Sequence, residues 1–105
     1  MPTLVQINFP SNRTLDATRA EELKEIAEGI AEEDGLIWKI WIGSPERGEL
    51  GGIYLFDTPE NAQSYADKHT ARIETRGITD STAKLFEVDE TLTHITHGGH
   101  VLQRN

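Results

Sequence analysis

A ferredoxin-like α+β fold, with elements in the order βαββαβ, is what this 105-residue sequence predicts. Three observations lead there. Two stretches carry apolar residues at helical spacing: Leu23, Ile26, Ala27, Ile30 and Ala31, then Ala62, Tyr65, Ala66, His69 and Ile73. Four others alternate in the period-two manner of strands. They follow one another as strand, helix, strand, strand, helix, strand, with no internal repeat, low-complexity segment or linker. Such a chain lays two helices over one face of a four-stranded antiparallel sheet.

The first strand is Thr3 to Phe9, where Val5, Ile7 and Phe9 alternate with Leu4, Gln6 and Asn8. Pro10 to Thr14 breaks it. A helix is entered near Thr14 to Thr18, with Thr18 and Glu21 at capping-box spacing, and ends at Asp34–Gly35, where glycine suits a left-handed cap. Its glutamates (Glu21, Glu22, Glu25, Glu28, Glu32, Glu33) fall mostly opposite the apolar stripe and read as a solvated face. Gly35 to Phe56 is a hairpin. Leu36, Trp38, Ile40 and Ile42 alternate with Ile37, Lys39 and Trp41, the turn is Ser44 to Glu49, and Ile53 and Leu55 alternate with Tyr54 and Phe56. Apolar residues occupy both of its faces, so both need cover. Thr58 and Pro59 start the second helix and Gly77 stops it. The last strand is about Thr79 to Val88, and Asp89 onward reads as a loop or short turn. The expected organisation is one domain over residues 1–95 and a flexible tail over residues 96–105.

Composition excludes several classes. The chain holds one core but not two, and 36% apolar with 27% charged residues is ordinary for a soluble globule. A net charge of −8 argues against nucleic acid or an anionic membrane as partner. Without cysteine there is no disulfide framework, thiolate nucleophile or cysteine metal site. No apolar run approaches the ~20 residues of a membrane span. The N-terminal MPTLVQINF has no basic leader, so a cytoplasmic location is expected. Two helices leave the second sheet face bare, and a large apolar patch of that kind is rare on soluble monomers. A homodimer pairing sheet face against sheet face is the simplest cover.

The blocks Gly35–Trp41, Gly51–Phe56, Lys68–Arg72 and Ala83–Val88, in a likeness that runs from about Thr3 to Ile95, together resemble the YdhR-type monooxygenases, small bacterial proteins of the dimeric α+β barrel superfamily. The resemblance implies the fold, the dimer and a cofactor-independent oxygenase acting on a small aromatic, polyketide- or quinol-like substrate. It carries nothing over to the tail from His94 to Asn105.

Oxygenation without metal or flavin needs a substrate convertible to a carbanion or phenolate, a dry cavity, and a group to take its proton. His69, four residues after Tyr65 on the apolar helix face, is the candidate base, because histidine titrates near neutrality. The plainer alternative is a partly buried histidine satisfied by one hydrogen bond. The candidate substrate-binding residues are Asn8, Trp38, Tyr54, Tyr65 and Arg72. Asn8 and Gln6 point to one face of the first strand and either anchor a ligand or are satisfied at the dimer interface. Trp38 and Trp41, three apart, point to opposite faces, so one at most lines a given pocket. A tyrosine placed like Tyr54 is more often core than catalyst. Lys39, Lys84 and Arg72 read as exposed edges or as partners of acids or of a substrate carboxylate. His94, His97 and His100 stand at three-residue intervals, but with Gly98–Gly99 between them and no placed carboxylate no metal is assigned. Two alternatives to the oxygenase remain. One is a small-ligand binding or stress-response module. The other is a haem-degrading relative with His69 as iron ligand and Asn8 nearby.

Overall fold

Strand parity divides the molecule into a packed side and an open side. The computed structural model describes residues 1–103. Its elements are β1 (Thr3–Pro10), α1 (Ala17–Ala31), β2 (Leu36–Ser44), β3 (Glu49–Phe56), α2 (Pro59–Thr75), β4 (Thr82–Glu87) and a short α3 (Glu90–Ile95), followed by a 3₁₀ turn at Gly99–Val101. The sheet is antiparallel in the order β2-β3-β1-β4, the predicted ferredoxin-like arrangement. On one face Val5 pairs with Tyr54 and Leu85, and Ile7 with Gly52 and Ala83. Val5, Ile7, Tyr54 and Phe56 join Ala62, Tyr65, Ala66 and Ile73 of α2 in a single core.

The two helices are held unequally. For α2 the expected cap forms: Thr58 Oγ1 accepts from the Asn61 N–H at 3.1 Å, and Pro59 occupies the first position. For α1 the cap is Asp16 rather than Thr18. Asp16 has extended backbone, and its carboxylate accepts from the Arg19 N–H at 2.8 Å, whereas Thr18 is already helical. Of the apolar stripe of α1 only Ile30 is buried, and Ile26 is 38% exposed. The C-terminal end of α1 is well tethered. Ile30 enters the core, the following Glu33 pairs with Lys68 of α2, and Gly35 O accepts from the Asp57 N–H at 2.9 Å. Its N-terminal half stands over a cavity instead of a packed sheet.

The strand β2 departs from simple alternation. Leu36 pairs with Phe56 but Trp38 pairs with Leu55, so an extra residue is bulged between them. The bulge moves Leu36 to the packed face alongside Lys39 and Trp41 and leaves Trp38 and Ile40 on the open face. Unbroken alternation would have put Leu36 with Trp38.

The open face carries a row of Trp38, Leu55, Leu4 and Phe86 across the four strands. Leu55 is nevertheless fully buried. The C-terminal segment reaches this face: the Trp38 Nε1–H donates to Val101 O at 2.7 Å, and Leu102 is buried. Asp89 caps α3 through the Leu92 N–H at 2.9 Å. The helix closes with Gly98 N–H to Thr93 O and His97 N–H to His94 O, with His97 itself left-handed at φ 76°. A loose tail was expected from residue 96. The described part forms these turns, and a Cβ at Gly99 would press on the exposed His94 ring, which would have to turn aside. Residues 104 and 105 of that expected tail lie outside the described residues. Ile40 (51%) and Phe86 (47%) remain exposed on the open face. Among the described residues no helix is long and apolar enough to cross a membrane.

Candidate functional site

A cavity of about 450 Å³ lies between the packed face of the sheet and the two helices. Ile7 and Phe9 of β1, Lys39 and Trp41 of β2, Gly52 and Tyr54 of β3, and His69 and Ile73 of α2 form its walls, while Leu23 and Ile26 of α1 roof it. A second concavity of about 480 Å³ under the start of α1 shares Leu15, Arg19, Leu23 and Trp41 with it. The volume falls within the usual range for small-molecule sites. It exists because α1 is anchored at one end and because Gly52 leaves room beside Lys39: a Cβ there would stand 2.7 Å from Lys39 Cε.

Among the sequence-predicted residues, His69 and Tyr54 line this cavity. Their rings are 6.2 Å apart, edge to face. Tyr65 backs them instead of lining the cavity, stacked on His69 at 5.2 Å and tilted against Tyr54 at 4.9 Å. Arg72 sits with His69 in the adjoining groove between α1 and α2, its guanidinium 5.9 Å from the Tyr65 ring centre. Asn8 and Trp38 do not converge with this group. Parity places both on the open face, where Asn8 Oδ1 accepts from the Gln6 amide at 3.1 Å and Trp38 donates to Val101. The pairing of His69 with a nearby Asn8, expected for a haem-degrading relative, is therefore not formed within the chain. Among the described residues no three histidine, cysteine or carboxylate side chains are grouped as a metal site.

Lys39 and Trp41 are the residues that sequence reasoning underrated. Lys39 Nζ lies 3.3 Å from the Trp41 ring centre and 4.7 Å from that of Tyr54. A desolvated cation–π contact contributes about 2 kcal/mol. Burial, and then the charge of Arg72, lowers the Lys39 pKa to about 7. Lys39 and Trp41, two residues apart, share a face, but they stand an odd number of residues from Leu36 and join it on the packed side only through the bulge.

The environment also changes what His69 can be. Burial first, then the charges of Lys39, Arg72 and Arg76, lower its pKa to about 4, where the sequence reading expected titration near neutrality. The imidazole is neutral at pH 7, and its buried Nδ1 has no hydrogen-bond partner. The Tyr65 hydroxyl is likewise buried without a partner. Burial raises both phenol pKa values, and the nearby Tyr54 raises that of Tyr65 further, although no hydrogen bond forms at the Tyr65 hydroxyl. An apolar cavity walled by aromatic rings, with a neutral imidazole and a single ammonium at its surface, can hold an aromatic molecule and polarise one oxygen or acidic C–H on it.

Fold and site together define a class: ferredoxin-like α+β domains that enclose a small-molecule cavity between sheet and helices. The family model described as "Putative mono-oxygenase ydhR" matches residues 4–99, and the chain belongs to that family. Among solved structures, it is similar to NE2512 from Nitrosomonas europaea, with a TM-score of 0.59 and 11% identity over 83% of this chain and 88% of that one. A protein from Deinococcus radiodurans described as a "putative antibiotic biosynthesis monooxygenase" gives a TM-score of 0.57 and 13% identity over 83% and 92% of the two chains. A point mutant of SnoaB, a cofactor-independent oxygenase from Streptomyces nogalater, gives a TM-score of 0.56 and 12% identity over 83% and 92%. At such identities the likeness is one of fold. Among proteins of curated function, none matches the sequence.

Proposed function

We propose that this protein is a monooxygenase that needs no cofactor and oxidises a small aromatic substrate of polyketide or quinol type in the cavity beside His69. The observation that carries the reading is the buried, unpartnered His69 Nδ1 at the wall of an aromatic cavity, in a chain of a mono-oxygenase family. An anthrone-type methylene illustrates the chemistry. His69 takes one proton and leaves a carbanion, which passes one electron to O₂. The resulting radical and superoxide join through a C–O bond, the proton returns to give a hydroperoxide, and loss of water leaves a ketone. One oxygen atom enters the product and the other leaves as water, with all four electrons coming from the substrate. An imidazole with a low pKa is a weak base at the outset. The substrate anion formed by the transfer, however, offsets the cations that hold its pKa down, so imidazolium becomes less costly as the reaction proceeds.

The reading includes a two-fold dimer through the open sheet face, supported by the exposed Ile40 and Phe86, in the cytoplasm. Light scattering at micromolar concentration should give twice the chain mass of 11.7 kDa; a monomer would refute the dimer. For the activity, the assay is oxygen uptake by metal-stripped protein with anthrones, hydroquinones and related phenols. Wild type should consume one O₂ per methylene oxidised, and His69→Ala should lower the rate by roughly 100-fold or more. Unchanged turnover in the variant would remove His69 as the base. Saturable binding of these compounds without oxygen uptake would instead make the protein a binding module.

A further inference from the structure

Charge is distributed against the grain of this protein. Of ten lysines and arginines, four line the cavity (Arg13, Arg19, Lys39 and Arg76), against one of eighteen acids, Glu22. Glu22 is already engaged, 3.9 Å from Arg13 and 3.0 Å from Arg19. Among the described residues neither Lys39 nor Arg76 has a carboxylate partner. A chain of net charge −8 has ample acids to supply one, and an ammonium withdrawn from water without a carboxylate carries a desolvation cost that its cation–π contacts with Trp41 and Tyr54 offset only in part.

We propose that the cavity is built for an organic anion: an aromatic ligand bearing a carboxylate or an ionised phenol, seated with that group on the Lys39 ammonium and its ring against Trp41 and Tyr54. The inference deepens the proposed function and rests on it for the location of the ligand. It narrows the substrate class from aromatic to aromatic and anionic, and makes Lys39 the residue that selects it. Lys39 shares the cavity with Tyr54 from β3, Trp41 from its own strand, His69 from α2 and Arg76 from the C-cap of that helix, Arg19 and Glu22 from α1, and Arg13 from the preceding loop, while Arg72 acts on it from α2. All but Glu22 are neutral or positive at pH 7, so an anion is the missing charge. Because burial and the charge of Arg72 hold the Lys39 pKa down near 7, a bound anion must raise it, and binding at pH 8 must draw a proton from solution.

The test uses the full-length protein carrying Trp38→Phe, so that Trp41 alone reports by fluorescence, and two probes of the same shape, 2-naphthoate and the neutral 2-naphthamide. Hydrogen bonds to a charged partner contribute about ten- to a hundredfold in binding. Naphthoate should therefore bind at least about tenfold more tightly than naphthamide, and Lys39→Met should abolish that preference while leaving naphthamide binding within about twofold. A pH-stat at pH 8 should record proton uptake on naphthoate binding, absent in Lys39→Met. Equal affinity for the two probes would overturn the anion inference and leave the cavity as an aromatic site. Binding of neither would overturn both readings. A naphthoate preference that survives Lys39→Met would remove Lys39 as its source.

Discussion

Replacing Tyr65 by phenylalanine should make the protein more stable. The ring is almost fully buried, and phenylalanine keeps its packing against Tyr54, Phe56 and His69, whose ring centres lie 4.9, 5.3 and 5.2 Å away. What changes is the hydroxyl, which is buried and makes no hydrogen bond. A buried polar group without a partner forfeits its hydration, at about 1–3 kcal/mol. The substitution also removes one oxygen's worth of dispersion contacts from a close-packed region, so the lower end of that range is expected: a gain of about 1 kcal/mol, or roughly 5 °C in Tm for a domain of this size. Urea denaturation followed by far-UV circular dichroism, with slopes compared to confirm two-state unfolding, measures it directly. A loss of stability of about 0.5 kcal/mol or more would mean that the hydroxyl is bonded in solution, with the nearby Tyr54 as the first suspect, and would refute the orphaned-group argument.

Two further predictions concern other parts of the molecule. The folded His69 pKa of about 4 lies below the 6.5 of an unfolded histidine, so between those values the unfolded chain binds more protons and stability falls as pH falls. From pH 7 to pH 5 wild type should lose about 1–2 kcal/mol more than His69→Gln, measured by parallel urea titrations; identical slopes would show that the imidazole is not held neutral. His97 adopts φ 76° at the end of α3, where a side chain costs about 1 kcal/mol. His97→Gly should recover much of it and increase amide-exchange protection at Gly98 and Val101, and faster exchange there would show that the turn is not formed as described.

The fold was legible because its signals are local. The Thr58–Pro59 start, the helical spacing of Ala62, Tyr65, Ala66 and Ile73, and the alternation of Val5 with Ile7 all survive in the structure, whereas α1 ends before the expected Asp34–Gly35, at Ala31 with Glu32 as its cap, and the left-handed Gly35 belongs to the turn into β2. His69 was readable for the same reason, lying on a helix face whose direction the periodicity sets, whereas for Tyr54 on its strand the period left a choice of two faces. Trp38 and Asn8 were not, because alternation says that two residues share a face without saying which face meets the helices. The extra residue between Leu36 and Trp38 then reverses the parity of β2 relative to its start, and no residue type there announces a bulge. Lys39 was left open between a wet edge, the usual place of lysine, and a charged partner, because nothing in the sequence shows that it is buried. The C-terminal turn was missed because its hydrogen bond to Trp38 joins residues 63 positions apart, beyond the reach of any periodicity.

The uneven anchoring of α1 bears on how such a protein acquires new substrates. The residues that hold the domain together come from the sheet and α2, with Ile30 the sole contribution of α1 to the core cluster. The residues that roof the cavity, Leu23 and Ile26, come from the part of α1 that the core does not use. Changes there reshape the roof while leaving the framework intact, so mutational drift can explore ligands without first passing through unfolded intermediates. A library randomised at Leu23, Ile26 and Leu15 is the natural starting point for redirecting the cavity, and most of its members should still fold.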